Sequence, residues 1–179
     1  MSMKIGLISD THGQFDRRLK TLFKDVNHIL CAGDVGDLNI IRQLNEIAPT
    51  LSVRGNTDNS LRDILPEYIF CKIDGLKFFV VHIMEKSDPL WQELSRLIYS
   101  LKPDVVVYGH THNYYASSSN NIIFVNPGSA GANRYPIVRT CGILEKMDDT
   151  LLVQIYELGT DIQMKYWQSF SIKNNNHTK

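Results

Sequence analysis

Residues 104–115 read DVVVYGHTHNYY: four strand-like residues, a glycine, then two histidines separated by a single threonine. An apolar run of this length, closed by glycine, predicts a buried strand over Val105 to Tyr108. The strand therefore delivers His110 and His112 to its carboxyl end. One histidine in such a place is ordinarily a hydrogen-bonded core group or a loop residue, so the rest of the chain decides what the pair means.

Working toward the N-terminus, the same grammar recurs. Lys4 to Ser9 predicts a strand, followed by a helical pattern with Phe15, Leu19, Leu22 and Phe23 on one face. His28 to Ala32 predicts a second strand, Leu38 to Ala48 a helix, and Leu51 to Arg54 a third strand. Such alternation argues for an α/β fold with parallel strands and helices on the faces. Tyr68 to Ile73 and Leu76 to His82 flank Asp74-Gly75, a tight-hairpin signal, so antiparallel strands join. Ser87-Asp88-Pro89 offers a cap and a first-turn proline for a helix carrying Leu90, Leu94, Leu97, Ile98 and Leu101. Beyond the GHTH stretch, strands are expected at Tyr114 to Ser117, Ile122 to Val125, Ile143 to Lys146 and Leu151 to Glu157, and the polar tail 173–179 reads as disordered.

Composition narrows the function. A chain of 179 residues predicts one domain, able to bury roughly 70% of its unfolded surface without a structural metal or disulfide. Nineteen basic and nineteen acidic side chains cancel, which leaves no net-charge argument for nucleic acid or an anionic membrane as a partner. The three cysteines, Cys31, Cys71 and Cys141, sit among apolar residues and read as free thiols of a reducing compartment. With neither a signal peptide nor a membrane span in the pattern, a cytoplasmic protein is expected.

Ligands of open α/β sheets bind outside the carboxyl ends of the strands. At those ends stand Asp10 and His12, then Asp34, Asn56, His82, and finally His110 and His112. Each alone has a plain reading, as a helix cap, a turn residue or a buried histidine. Together they account for four of the six histidines, leaving His28 as structural and His177 in the tail.

The ordered series Ser9-Asp10-Thr11-His12-Gly13, Gly33-Asp34, Gly55-Asn56, His82 and Gly109-His110-Thr111-His112 resembles the calcineurin-like metallophosphoesterase family, in its small bacterial and archaeal phosphodiesterase branch. Asn126-Pro127-Gly128-Ser129 resembles that branch too. The resemblance implies a single domain over residues 1–172, built as two face-packed mixed β-sheets flanked by helices in a four-layer αββα sandwich. It also implies two divalent metal ions, one held by Asp10, His12 and His112, the other by Asn56, His82 and His110, with Asp34 bridging them. Asp34, Asn56, His82 and His110 become the catalytic candidates; Arg54, just before Gly55, is a candidate substrate contact or equally a partner for a nearby acid such as Asp58. Independently, imidazole, carboxylate and amide oxygen without thiolate suit manganese, iron, nickel, zinc or cobalt alike; manganese or nickel is the first expectation, with iron, zinc or cobalt as alternatives. The implied activity is hydrolysis of a small phosphoester, a diester in preference to a monoester, by a metal-bound hydroxide. A homo-oligomer is compatible with all of this.

Two positions depart from the pattern. Better-known phosphatases of the superfamily carry a histidine directly after the Gly-Asn, placed to protonate the leaving group; here that position is Thr57. The phosphodiesterase branch commonly lacks that histidine as well. Ile83 follows His82, where relatives usually have glycine, and bears on substrate access. The main rival reading is a catalytically weak or inactive scaffold resembling the retromer subunit of vacuolar protein sorting, which shares the fold. That subunit family has altered the Gly-Asp and Gly-Asn motifs, whereas Asp34 and Asn56 stand here in the enzyme positions.

Overall fold

Segments 5–8, 29–32 and 78–81 are apolar at consecutive rather than alternate positions, apart from Gly6, so each strand needs cover on both faces. A computed structural model, which describes residues 2–131 and 138–172, supplies that cover. The elements are β1 (Lys4–Ile8), α1 (Leu19–Leu22), β2 (His28–Cys31), α2 (Leu38–Asn45), β3 (Thr50–Ser52), a 3₁₀ turn (Asn59–Leu61), β4 (Tyr68–Ile73), β5 (Leu76–Val81), α3 (Trp91–Leu101), β6 (Val105–Val107), β7 (Tyr115–Ser119), β8 (Ile122–Asn126), β9 (Thr140–Met147), β10 (Thr150–Leu158) and β11 (Ile162–Ser171).

Two mixed sheets result, ordered β11-β10-β9-β1-β2-β3 and β4-β5-β6-β8-β7. β1, β2 and β3 run parallel in the first, as do β5, β6 and β8 in the second; the hairpin partners pair antiparallel. The central core lies between the sheets, where Ile5, Leu7, Leu30 and Val153 meet Phe78, Val80, Val105 and Val125. On the outer side of the first sheet, Ile8, Ile29 and Cys31 pack under Leu19 and Phe23 near α1 and under Ile40 and Leu44 of α2. On the outer side of the second, Phe79, Val81 and Val106 pack under Leu94 and Ile98 of α3. This is the four-layer arrangement expected.

Several boundaries differ, for local reasons. The first helix is a single turn, because Asp16 binds both the amide and the guanidinium of Arg18 and holds the preceding segment outside the helix. α3 starts at Trp91, after a turn at 88–91 in which the Asp88 carboxylate accepts the Leu90 amide at 2.7 Å, the capping contact expected there, and the Asp88 carbonyl accepts the Trp91 amide at 3.0 Å. β11 was not anticipated from the pattern; as an edge strand it exposes Met164 and Trp167, which blurs its alternation. Of the two tyrosines that flank the GHTH stretch, Tyr114 is 42% exposed and its ring meets that of Tyr166, whereas Tyr108 packs beneath α3. The tail expected from 173 lies outside the described residues, as does His177.

Candidate metal centre

Parallel strands end on one edge, so the loops after β1, β2, β3, β5 and β6 converge there. Those five loops carry all seven expected ligands. Asp10, His12, Asp34, His110 and His112 all adopt left-handed backbone, with φ of 54°, 46°, 50°, 73° and 60°. That region costs most side chains about 1–3 kcal/mol and is used where surrounding contacts enforce it.

The enforcing contacts are visible. The Asp10 amide donates to the Gly33 carbonyl and the His12 amide to the Asp34 carbonyl, each at 2.9 Å, tying the first loop to the second. Asp58, buried, accepts the amides of Val35 and Gly55 at 2.9 Å and of Gly36 at 2.7 Å, tying the second loop to the third. Ser129 donates to the Asp10 carbonyl at 2.9 Å, and the Asn126 amide group donates to the Gly109 carbonyl at 2.8 Å. Sequence reasoning missed the role of Asp58, assigning it only as a partner for Arg54. Its signal would have been an acid three residues after a strand-end glycine.

The side chains form two adjoining groups. Asp10, His12 and His112 present one ligand atom each within 4.8 Å of one another, as do Asp10, Asp34 and His82. His12 Nε2 lies 3.2 Å from His112 Nε2, and His112 Nε2 3.1 Å from Asp10 Oδ1. Asp34 reaches both groups, its Oδ1 lying 3.5 Å from His82 Nε2 and its Oδ2 4.0 Å from His12 Nε2. Asn56 Oδ1 stands 3.1 Å from both His82 Nε2 and His110 Nδ1.

His82 is buried and its Nδ1 meets the Ala32 carbonyl at 2.7 Å; a carbonyl only accepts, so Nδ1 carries the proton and Nε2 faces the site. Burial disfavours charge on this imidazole, but Asp34, Asp10 and the Ala32 carbonyl together raise its pKa. Burial likewise opposes ionisation of Asp34, yet His82 and the Thr57 amide, which donates to Oδ1 at 2.9 Å, hold its carboxyl well below the ordinary range.

This set fits a divalent cation. Among the described residues the fully buried Asp10 Oδ1 accepts no hydrogen bond and has the imidazole of His112 close by, at 3.1 Å, which makes it an acceptor suited to a cation. Two nitrogens each about 2.1 Å from one ion would stand roughly 3.0–3.4 Å apart at octahedral to tetrahedral angles, and the His12–His112 separation of 3.2 Å falls in that interval. Protons and metal would compete for the same imidazole nitrogens.

Arg54 does not point freely into the site. Its guanidinium pairs with Glu67 at 3.0 Å rather than with Asp58.

Residues 3–149 match the calcineurin-like phosphoesterase superfamily domain. The chain belongs to that family. All seven strand-end residues of this calcineurin-like phosphoesterase fall inside the matched span. A probable metallophosphoesterase of Methanocaldococcus jannaschii is 30% identical over 162 residues, covering 84% of this chain and 81% of its own. A phosphodiesterase of the same organism is 31% identical over 160 residues, covering 80% and 93%. The structure of Vacuolar Protein Sorting 29 from Cryptosporidium parvum superposes with a TM-score of 0.77 at 21% identity, covering 95% of this chain and 98% of that one, a likeness of fold. No described helix is long and apolar enough to cross a membrane.

Proposed function

We propose that this metallophosphoesterase is a cytoplasmic phosphodiesterase that works with two divalent ions, manganese or nickel first. The observation that carries the reading is the buried Asp10 Oδ1, which accepts no hydrogen bond among the described residues and lies 3.1 Å from His112 Nε2 and 4.0 Å from His82 Nε2. Asp10, His12 and His112 would hold one ion, Asn56, His82 and His110 the other, and Asp34, which reaches toward both histidine groups, would serve both. When bound, such a pair supplies hydroxide near neutral pH and neutralises phosphate oxygens, so a protein without net charge can take an anionic ester.

The chain's own residues supply orientation. Ala32 fixes the tautomer of His82, His82 and the Thr57 amide keep Asp34 ionised against the effect of burial, and Asn56 spans the gap between His82 and His110. Preorganisation of this kind lowers the reorganisation cost of the reaction. The Thr57 side chain provides no proton near neutral pH, so the ester's leaving group must depart with little help from this position. Arg54, already paired, contributes at most through the cleft it lines.

The test is turnover of a chromogenic phosphodiester by protein loaded in turn with manganese, nickel, cobalt, iron and zinc. Hydrolysis abolished by stripping the ions is the expected result. No turnover above buffer with any of the five would sink the enzyme reading and favour a scaffold of the same fold.

A further inference from the structure

Beside Asn56 and His82, and away from His12 and His112, a cleft of about 150 Å³ opens between the end of β5 and the start of α3. Its apolar lining is Val81, Ile83, Leu90 and Leu94; Arg54 and Glu67 line it as well. Those two charges satisfy one another at 3.0 Å, and Asp88, which also lines the cleft, is engaged by the Leu90 amide. Among the described residues, the cleft thus offers apolar surface and no unpaired cation for a second phosphate. A space of this size accommodates about one aromatic ring, the volume at which an apolar cavity takes up benzene.

We infer that this cleft is a subsite for a single uncharged aromatic ring carried by the phosphoester, with Ile83 and Leu90 setting the preference. The inference rests on the phosphodiesterase reading, since Asn56 and His82, which also line the cleft, must lie beside the bound phosphoryl group. Burying a ring's apolar surface against these side chains is sufficient for a gain of about tenfold or more in affinity.

Phosphonates test this without chemistry, because their phosphorus–carbon bond is not hydrolysed and leaving-group effects vanish. Calorimetry on zinc-loaded protein would compare phenylphosphonate with methylphosphonate. The expected result is phenylphosphonate bound about tenfold or more tighter by the wild type. Ile83→Ser, which removes apolar wall, and Leu90→Trp, which fills the space, should each cut that ratio to about threefold or less while leaving methylphosphonate affinity unchanged. Methylphosphonate thereby serves as the folding and metal control in each variant, and the wild-type ratio stands by itself if a variant fails to fold. Equal binding of the two phosphonates by the wild type, or a ratio unchanged in both variants, would overturn the subsite alone. Failure of the metal-loaded protein to bind either phosphonate would overturn it together with the phosphodiesterase reading.

Discussion

His12 Nε2 and His112 Nε2 face one another across 3.2 Å although a hundred residues separate them in the chain. One belongs to the loop after β1, the other to the loop after β6, so no single loop builds the centre. Protein reconstituted with excess manganese should hold two ions per chain by elemental analysis. Asp34→Ala should deplete both positions, whereas Asn56→Ala and His112→Ala should each deplete mainly one. A ceiling of one ion in the wild type would refute the two-ion assignment.

Thr57 leads to a kinetic expectation. General acid catalysis contributes about 10²–10⁴-fold, and it matters most when the departing alkoxide is basic. With both ions bound and chemistry limiting, the wild type should show a steep dependence of rate on leaving-group pKa. Thr57→His should flatten it if the imidazole reaches the leaving oxygen. A shallow dependence in the wild type would mean that another residue already donates the proton.

Gly55 lies where a side chain has no room. A Cβ there would stand 2.0 Å from Asp34 Oδ1 and 2.3 Å from the Asp34 nitrogen. Gly55→Ala must therefore displace the Asp34 loop. The expected loss is about 10²-fold in kcat, the cost of roughly 1 Å of misplacement, accompanied by reduced metal content. Wild-type kcat and stoichiometry in the variant would show that the loop absorbs the methyl group.

Asp16 is where acid should weaken the fold. Its hydrogen bond to Arg18 lowers its pKa from 3.8 to about 2 against the opposing effect of burial, with Arg139 adding to the depression. The folded state therefore binds this proton less readily than the unfolded one. Its contribution, about 2 kcal/mol, is complete above the unfolded pKa and disappears as pH falls through the folded one. In urea unfolding, Asp16→Asn should be destabilised by that order at pH 6, with the difference from wild type shrinking between about pH 4 and pH 2. A difference independent of pH would assign the effect to packing rather than ionisation.

Much of this arrangement was legible because strand ends announce themselves. Gly33-Asp34, Gly55-Asn56 and Gly109-His110 each close a strand-like segment, and parallel pairing within each sheet then brings those ends to a shared edge. What pattern alone does not carry is the cross-loop hydrogen bonding. Asp58 binding three amides, or Ala32 receiving His82, depends on residues brought together only after the sheets form. The same holds for Arg54, whose partner Glu67 lies beyond a turn rather than at the nearest acid. β11 escaped because exposed edge strands retain little of the alternation that marks a half-buried one.

Asp10, His12, Asp34 and Asn56 hang from the first sheet, and His82, His110 and His112 from the second. A cation gripped by members of both sets is consequently a rivet through the seam where the two layers meet. Mass action then couples occupancy to the persistence of the whole sandwich, by about 2.7 kcal/mol when free metal exceeds its dissociation constant a hundredfold. Starving the protein of metal would silence its chemistry and also loosen that seam, leaving the five left-handed turns to relax toward backbone they would otherwise prefer.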